Sequence, residues 1–216
     1  MIKNRNTLID ELKQIIVSEI SRINQVYRTG PSLYFYHRTI ELRRKHSTIS
    51  EFLSSDYCIE IIYATLVSWD MNSRGAKMKD FGEFRDNLRA NRTAFEKIES
   101  LSVNFSYNNA GSVLECMSDM YDSLELMQTG GRLVSNSKCL HFLFPKVCLP
   151  MDRKNILTKV YGNTNESKKK FTELLELSYD ILGRIPDRSH YLDQRWNMFE
   201  TKLVDNAILL KSSQPE

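Results

Sequence analysis

Apolar residues recur at helical spacing along almost the whole chain, and this period constrains the fold more than any other feature. Glycine and proline mark where the apolar stripes stop, at Gly30-Pro31 and again at Gly130-Gly131. Residues 57–69, YCIEIIYATLVSW, are apolar nearly all round, which predicts a buried central helix. No alternating apolar segment nearby would supply a partner strand. The sequence therefore predicts an all-α fold.

The pattern predicts a succession of helices without an obvious domain boundary. They cover about 8–27, 32–45, 57–69, 80–99, 113–127, 135–144, 152–161, 171–182 and 192–210. The chain shows neither an internal repeat nor a low-complexity linker. We expect residues 1–211 to form a single compact helical domain, in one lobe or two, followed by a polar tail at 212–216.

Composition restricts where such a protein works. The chain has 216 residues and no apolar run near the roughly 18 residues that cross a bilayer. Its N-terminal segment lacks the apolar core of a signal peptide. The four cysteines lie in core-like segments without a C-x-x-C pair, which favours reduced thiols over disulfides or zinc. We expect a cytoplasmic monomer without membrane contact, whose net charge of +3 permits a polyanionic partner without requiring one.

The segment after Gly130-Gly131 could bind phosphate. It reads as a glycine turn between two helices, and the first N–H groups of the second helix have no partner within that helix. Ser135, Asn136 and Ser137 could cap this helix and also donate hydrogen bonds to phosphate oxygens. A turn between helices with no ligand is the alternative, because such corners occur in most all-α proteins.

Two charged residues follow this turn. Lys138 lies near the start of the predicted helix, and Asp152 follows Pro150-Met151 at the head of the next one. Asp152 is therefore a good helix N-cap, which is its structural role whether or not it has a chemical one. Arg153 and Lys154 come directly after it and add positive charge.

A glycine hairpin, a helix that begins near a lysine, and a Pro-Val-Asp-like aspartate together resemble the helix-hairpin-helix DNA glycosylases. The matching residues are Gly130-Gly131, Lys138 and Asp152 within Leu149-Pro150-Met151-Asp152. Where that family usually has Gly-x-Gly before the lysine, this chain has Val134-Ser135-Asn136-Ser137. The four-cysteine iron–sulfur motif of some members is absent, and we expect no metal or other cofactor.

The resemblance implies base excision from DNA, with Asp152 as the catalytic carboxylate. Breaking an N-glycosidic bond develops positive charge on the sugar, which a carboxylate stabilises while it orients or deprotonates water. In the same family a lysine attacks C1′ as a neutral amine and forms a Schiff base, the alternative role for Lys138. Some small prokaryotic members of that superfamily excise modified bases from phage DNA as a defence. The resemblance therefore leaves two alternatives, phage defence and housekeeping repair.

A flipped base needs an aromatic pocket. Tyr34 and Tyr36 lie in an aromatic segment that could stack on a base, although inward packing of an amphipathic helix explains it equally well. Trp69 ends the central helix before a polar loop, and His141 shares a helix face with Lys138. All four are candidate pocket residues, and for each of them a place in the core is the alternative.

Two further classes of function compete with the glycosylase. A non-catalytic module could bind DNA through the same hairpin and basic residues, and its salt-dependent binding would survive the loss of Asp152. A helical interaction protein without a nucleic-acid role would use its aromatic residues only to fill the core.

Overall fold

The computed structural model describes residues 2–27, 29–73 and 75–211, and the predicted polar tail at 212–216 lies outside them. The α-helices are α1 Arg5–Glu19, α2 Ile23–Val26, α3 Pro31–Lys45, α4 Ile49–Ser54, α5 Asp56–Ser68, α6 Phe81–Ala90, α7 Arg92–Ser102, α8 Gly111–Ser123, α9 Leu133–Leu143, α10 Thr158–Tyr161, α11 Lys168–Gly183 and α12 Glu200–Lys211. Turns of 3-10 helix cover Ile20–Arg22 and Arg188–Tyr191, and a π-helical turn covers Arg153–Leu157. Outside these elements, extended pairing in the described residues is limited to isolated bridges. The all-α prediction is confirmed.

The helices buried along most of their length are α9 and α12. The sequence predicts α5 as the buried centre, and this prediction is wrong, because α5 buries one face only and its Tyr57 and Val67 are 48% and 41% exposed. Helix α5 packs against α3 and also contacts α9. The hydroxyls of Thr39 on α3 and Thr65 on α5 meet at 2.6 Å, and both residues are fully buried. Polar atoms in this interface are therefore paired with each other or with backbone carbonyls, as burial requires.

Two predicted helices are shorter or more broken than their apolar period suggests. The helix predicted over 80–99 divides at Asn91, whose side-chain amide donates to the carbonyl of Asn87. The helix predicted from 192 starts only at Glu200, because Asp193 accepts the backbone N–H groups of Arg195 and Asn197 and holds a turn there. In both places a short polar side chain competes with the helical backbone for hydrogen bonds.

The link between α8 and α9 is longer than the tight hairpin predicted at Gly130-Gly131. The helix predicted to reach Met127 ends at Ser123, and Leu124 is already extended. Met127 pairs with Met78 in an antiparallel bridge, and the neighbouring N–H of Gln128 donates to the carbonyl of Lys77 at 2.8 Å. Residues 124–132 thus lie against 77–79 instead of turning directly from one helix into the next.

Helix α12 is buried along almost its whole length, including several polar residues. It packs against α1 and α11, and it also contacts the π-helical turn that follows Asp152. All four cysteines are unpaired and buried, as predicted. Among the described residues, no helix combines the length and apolar character needed to cross a membrane.

Candidate active site

Asp152 lies at the head of the π-helical turn with both carboxylate oxygens engaged. Its backbone is extended, at φ −138° and ψ 164°, and one oxygen accepts the backbone N–H of Asn155. The other oxygen accepts the Asn155 side-chain amide at 3.0 Å. The carboxylate therefore caps the turn, and two hydrogen bonds from one residue fix its orientation.

Helix α9 holds the segment that carries Asp152. The Ser137 hydroxyl accepts the backbone N–H of Met151 at 3.0 Å, one residue before the aspartate. One turn further along α9, His141 Nδ1 donates to the carbonyl of Cys148 at 2.8 Å. Because all these groups are buried, breaking either bond would leave an unsatisfied polar atom in the interior.

A tyrosine fixes His141 from its other side. Nδ1 carries the proton, so Nε2 is the acceptor for the Tyr36 hydroxyl at 2.8 Å. Burial lowers the pKa of His141 to about 3 and raises that of Tyr36. The imidazole is therefore neutral at physiological pH. Predicted as pocket residues, Tyr36 and His141 instead lie in the core, where they support the loop before Asp152.

A cavity of about 300 Å³, which we call the main cavity, opens beside Asp152. This volume is at the lower end of the range for small-molecule sites. Three residues singled out from the sequence line it together: Asp152, Lys138 and Trp69. The other lining residues are Tyr27, Ser32, Ser68, Asp70, Pro150, Met151, Trp196, Lys202 and Asp205.

The Lys138 side chain extends from α9 to the C-terminal end of α5. Its ammonium donates to the carbonyl of Trp69 at 2.9 Å and lies 5.7 Å from the centre of the same indole ring. Burial lowers the pKa of Lys138, and the Asp152 carboxylate offsets part of that effect. The lysine thus shares one electrostatic environment with the predicted catalytic acid.

Helix α12 contributes two charged residues that sequence reasoning did not single out. Lys202 is 3% exposed and Asp205 is 6% exposed, and their side chains form an ion pair within the cavity wall. Burial raises the pKa of Asp205, which Lys202 partly offsets. The available signal is a lysine and an aspartate three positions apart among the apolar residues of α12, a spacing at which the two can pair on one helix face.

Aromatic rings form much of the remaining wall. The chain has two tryptophans, and both Trp69 and Trp196 line the main cavity. Tyr27 packs on Trp196 with ring centres 4.9 Å apart. Burial raises the pKa of Tyr27, and the charges of Asp205 and Asp152 raise it further. The cavity therefore combines flat apolar surfaces with charged groups, as a site for a planar polar ligand would.

A second cavity of about 500 Å³ adjoins the first and shares Trp69, Asp70, Lys138 and Asp152 with it. Arg153 and Lys154, both exposed, line this second cavity. The two cavities adjoin each other around Asp152, and the basic side chains of Arg153 and Lys154 lie on one side.

The predicted phosphate site at the start of α9 already holds a carboxylate. Glu166 accepts the backbone N–H of Leu133 at 2.8 Å and the guanidinium of Arg153 at 2.6 Å. Gly131 lies against this pair, since a Cβ there would approach Arg153 Nη2 to 2.7 Å. Gly130, in contrast, has open space beside it. An anion does fit this helix end, and in the structure it comes from the chain itself.

The remaining predicted residues do not meet in one place. Ser135, Asn136 and Ser137 are buried, and their side chains bond within the protein, as in the Asn136 amide to the Leu124 carbonyl at 3.0 Å. Phosphate contacts from these side chains would require breaking those bonds. Tyr34 is 66% exposed and lines neither the main cavity nor its neighbour.

Comparison with known proteins yields no relative. No family model matches the chain, and neither the curated proteins nor the solved structures give a significant match. Within the described residues, no group of three or more His, Cys, Asp or Glu side chains is arranged to hold a metal ion. The geometry around Asp152 is therefore the basis for assigning a function.

Proposed function

We propose that this protein is a DNA N-glycosylase that receives a flipped base in the main cavity. One observation carries the proposal: Asp152 and Lys138 line the same aromatic and charged cavity as Trp69, which is distant from both in the sequence. Extruding a base costs a few kcal/mol, which stacking on aromatic walls helps to offset.

In this proposal Asp152 acts on the sugar. The C1′–N bond breaks and its electron pair leaves with the base, while the carboxylate stabilises the positive charge on the sugar. A water oxygen then bonds to C1′ and one of its protons passes to Asp152, which afterwards releases it to solvent. The departing base anion takes up a proton from solvent. The two hydrogen bonds from Asn155 hold the carboxylate in one orientation throughout.

We assign the simpler, monofunctional reaction. The ammonium of Lys138 is bonded to the Trp69 carbonyl, and the negative charge of Asp152 favours its protonated form. Its lowered pKa favours the alternative, in which a neutral amine attacks C1′ and forms a Schiff base. Sodium borohydride separates the two, because it would reduce a Schiff base to a permanent protein–DNA link. We expect no such link.

Arg153 and Lys154 would contact the DNA backbone beside the cavity, since both are exposed on the surface next to Asp152. We propose that the enzyme acts as a cytoplasmic monomer without a cofactor. Its substrate would be a damaged or modified base, and excision of modified cytosines from phage DNA would make it an antiviral defence.

The two competing functions make different demands on the cavity. A DNA-binding module would need the basic surface but not the carboxylate, and an interaction protein would need neither. The oriented Asp152 beside a lysine and two tryptophans favours chemistry over either alternative.

The test is base removal from a panel of DNA substrates, read as strand cleavage after alkali. The panel holds uracil, 8-oxoguanine, 7-methylguanine, 5-hydroxymethylcytosine and glucosylated 5-hydroxymethylcytosine, each in single and double strands. We expect cleavage with the wild type and none with Asp152→Ala at equal folded concentration. Salt-sensitive DNA binding without product on any arm would favour the binding module. Absence of both activities would leave the interaction protein.

A further inference from the structure

We propose that Lys202 selects the class of base that the main cavity accepts, favouring neutral bases, which depart as anions, over cationic alkylated bases. The inference rests on the proposed glycosylase function and deepens it. The observation behind it is the buried ion pair between Lys202 and Asp205, which α12 contributes to the cavity wall.

The position of the Lys202 ammonium is closely defined. It forms an ion pair with Asp205 and lies 5.5 Å from the ring centre of Trp69 and 5.8 Å from that of Trp196. Cation–π attraction to both indoles and the pull of the carboxylate hold it between the aromatic walls. A base stacked on either wall would therefore meet this ammonium.

The ammonium matches the charge that a neutral base acquires on leaving. When the C1′–N bond breaks, the electron pair moves onto the base and places negative charge on its ring nitrogens and carbonyl oxygens. A fixed donor in a site shielded from water stabilises such developing charge, and removing one donor of this kind costs about 100-fold in rate or more. Lys202 would touch the base, whereas Asp152 acts on the sugar.

The same ammonium opposes a cationic base such as 7-methylguanine or 3-methyladenine. Like charges repel more strongly at a protein site than in bulk water, where the dielectric constant is higher. Both indoles, which would otherwise attract a cationic base, already attract the Lys202 ammonium. A cationic base also departs neutral, so it gains nothing from a positive donor. Selectivity then comes from repulsion of one class as much as from attraction of the other.

Lys138 is less suited to this role. Its ammonium donates to the Trp69 carbonyl, and Asp152 is the carboxylate with the largest effect on it. Lys202 is paired instead with Asp205, which lies near enough to Asp152 to feel its charge. The wall of the main cavity also contains Lys138, Asp70 and Asp152, and Asp205 is the carboxylate that pairs with the Lys202 ammonium.

The experiment compares excision rates on neutral and cationic bases for three variants. In Lys202→Met/Asp205→Leu both charges are replaced together, because removing only the lysine would strand a buried carboxylate. Lys202→Arg keeps the charge. Lys211→Met is the matched control, since Lys211 lies on the same helix in an ion pair with Glu11 outside the cavity. Thermal unfolding shows that each variant is folded before rates are compared.

We expect the wild type to excise a neutral base and to leave 7-methylguanine and 3-methyladenine in place. The double variant should lose about 100-fold on the neutral base, with no comparable loss on the cationic ones. Lys202→Arg should keep the wild-type selectivity, as should Lys211→Met.

A wild type that cuts a cationic base best would overturn the role of Lys202 while supporting the glycosylase. So would a folded double variant that retains wild-type rate or selectivity. If the double variant does not fold, the wild-type base class and the selectivity of Lys202→Arg decide the matter. A wild type inactive on every base would contradict the glycosylase proposal and this inference with it.

Discussion

At the scale of single residues, the groups behind the cavity are as constrained as those that line it. His141 joins Tyr36 to the carbonyl of Cys148, and burial keeps its imidazole neutral by lowering its pKa, an effect to which the charge of Lys202 adds. Nδ1–H donates to the carbonyl and Nε2 accepts, so protonation of Nε2 would require the Tyr36 hydroxyl to change from donor to acceptor. His141 therefore has a structural role, and the fold keeps it neutral.

This arrangement predicts how stability depends on pH. The folded pKa of His141, about 3, lies below its ordinary value of 6.5, so the unfolded chain binds the extra proton between these values. The histidine's contribution is complete above pH 6.5 and is lost as the pH falls toward 3. We expect wild type to lose about 2 kcal/mol more unfolding free energy than His141→Gln between pH 7 and pH 5. Urea denaturation at both values measures this difference, and equal losses would show that His141 titrates normally.

Ser137 provides a second residue-scale prediction. Ser137→Ala removes the acceptor for the buried N–H of Met151 and should cost about 1–3 kcal/mol of stability. Because this bond lies one residue before Asp152, the excision rate should fall while DNA binding is retained. Ser178→Ala is the control, since Ser178 is equally buried but bonds only within α11. A Ser137 variant with unchanged excision rate would show that this bond does not position the carboxylate.

The sequence predicted the part of the site that lies within residues 138–152. Asp152 and Lys138 belong to a recognisable succession of turn, helix and capped acid, and Trp69 stands at a helix end before a polar loop. Lys202 on α12 and Trp196 in the segment before it are distant in sequence from the rest of the site, and only tertiary packing brings them to the cavity. The sequence predicts phosphate contacts from Ser135, Asn136 and Ser137, but their side chains form hydrogen bonds within the protein.

At the scale of elements, the Asp152 carboxylate has two roles, which substitutions can distinguish. As an N-cap it accepts a hydrogen bond from the Asn155 backbone N–H, and it also places a negative charge in the wall of the main cavity. An asparagine can replace it in the first role, since Asn and Asp cap helices about equally well. It cannot replace the charge.

Stability measurements on two variants should therefore diverge. We expect Asp152→Ala to lose about 1 kcal/mol of unfolding free energy and Asp152→Asn to lose little. Both should be inactive, because neither carries a carboxylate. If Asp152→Asn were as destabilised as the alanine variant, capping would not be the main structural role of this side chain.

The helical period predicted the existence of elements better than their ends. Helix α5 lies where its apolar run predicts, but Tyr57 and Val67 of that run are exposed, and α9 and α12 are the deeply buried helices. The ends and breaks are determined by single polar side chains, such as Asn91 and Asp193, that bond to nearby backbone groups. The apolar stripe continues past these residues, so its period alone gives no signal of the break.

At the scale of the whole molecule, the proposal requires DNA to lie across the surface beside the main cavity. Lys154 is exposed there, next to Asp152. Each phosphate contact releases condensed cations, which makes binding fall steeply with salt. A modest net charge of +3 is compatible with this if the contacting cations are concentrated around the cavity.

Lys154→Ala should reduce the slope of log affinity against log salt by about 1, as expected for one lost phosphate contact. Lys97→Ala is the control, because Lys97 is exposed on α7, none of whose residues lines the main cavity or its neighbour. Fluorescence anisotropy with a labelled duplex at several salt concentrations gives both slopes. Equal slopes for the two variants would place the DNA elsewhere on the molecule.

The most direct test of the central claim is the single-turnover rate of base release for wild type and Asp152→Asn. Both are assayed on whichever panel substrate the wild type cuts, with free base and abasic product identified by mass spectrometry. We predict release by the wild type and at least a 100-fold slower rate for the variant, with DNA affinity and folding preserved. An Asp152→Asn variant that releases the base at the wild-type rate would contradict the account, because no carboxylate at this position would then be needed.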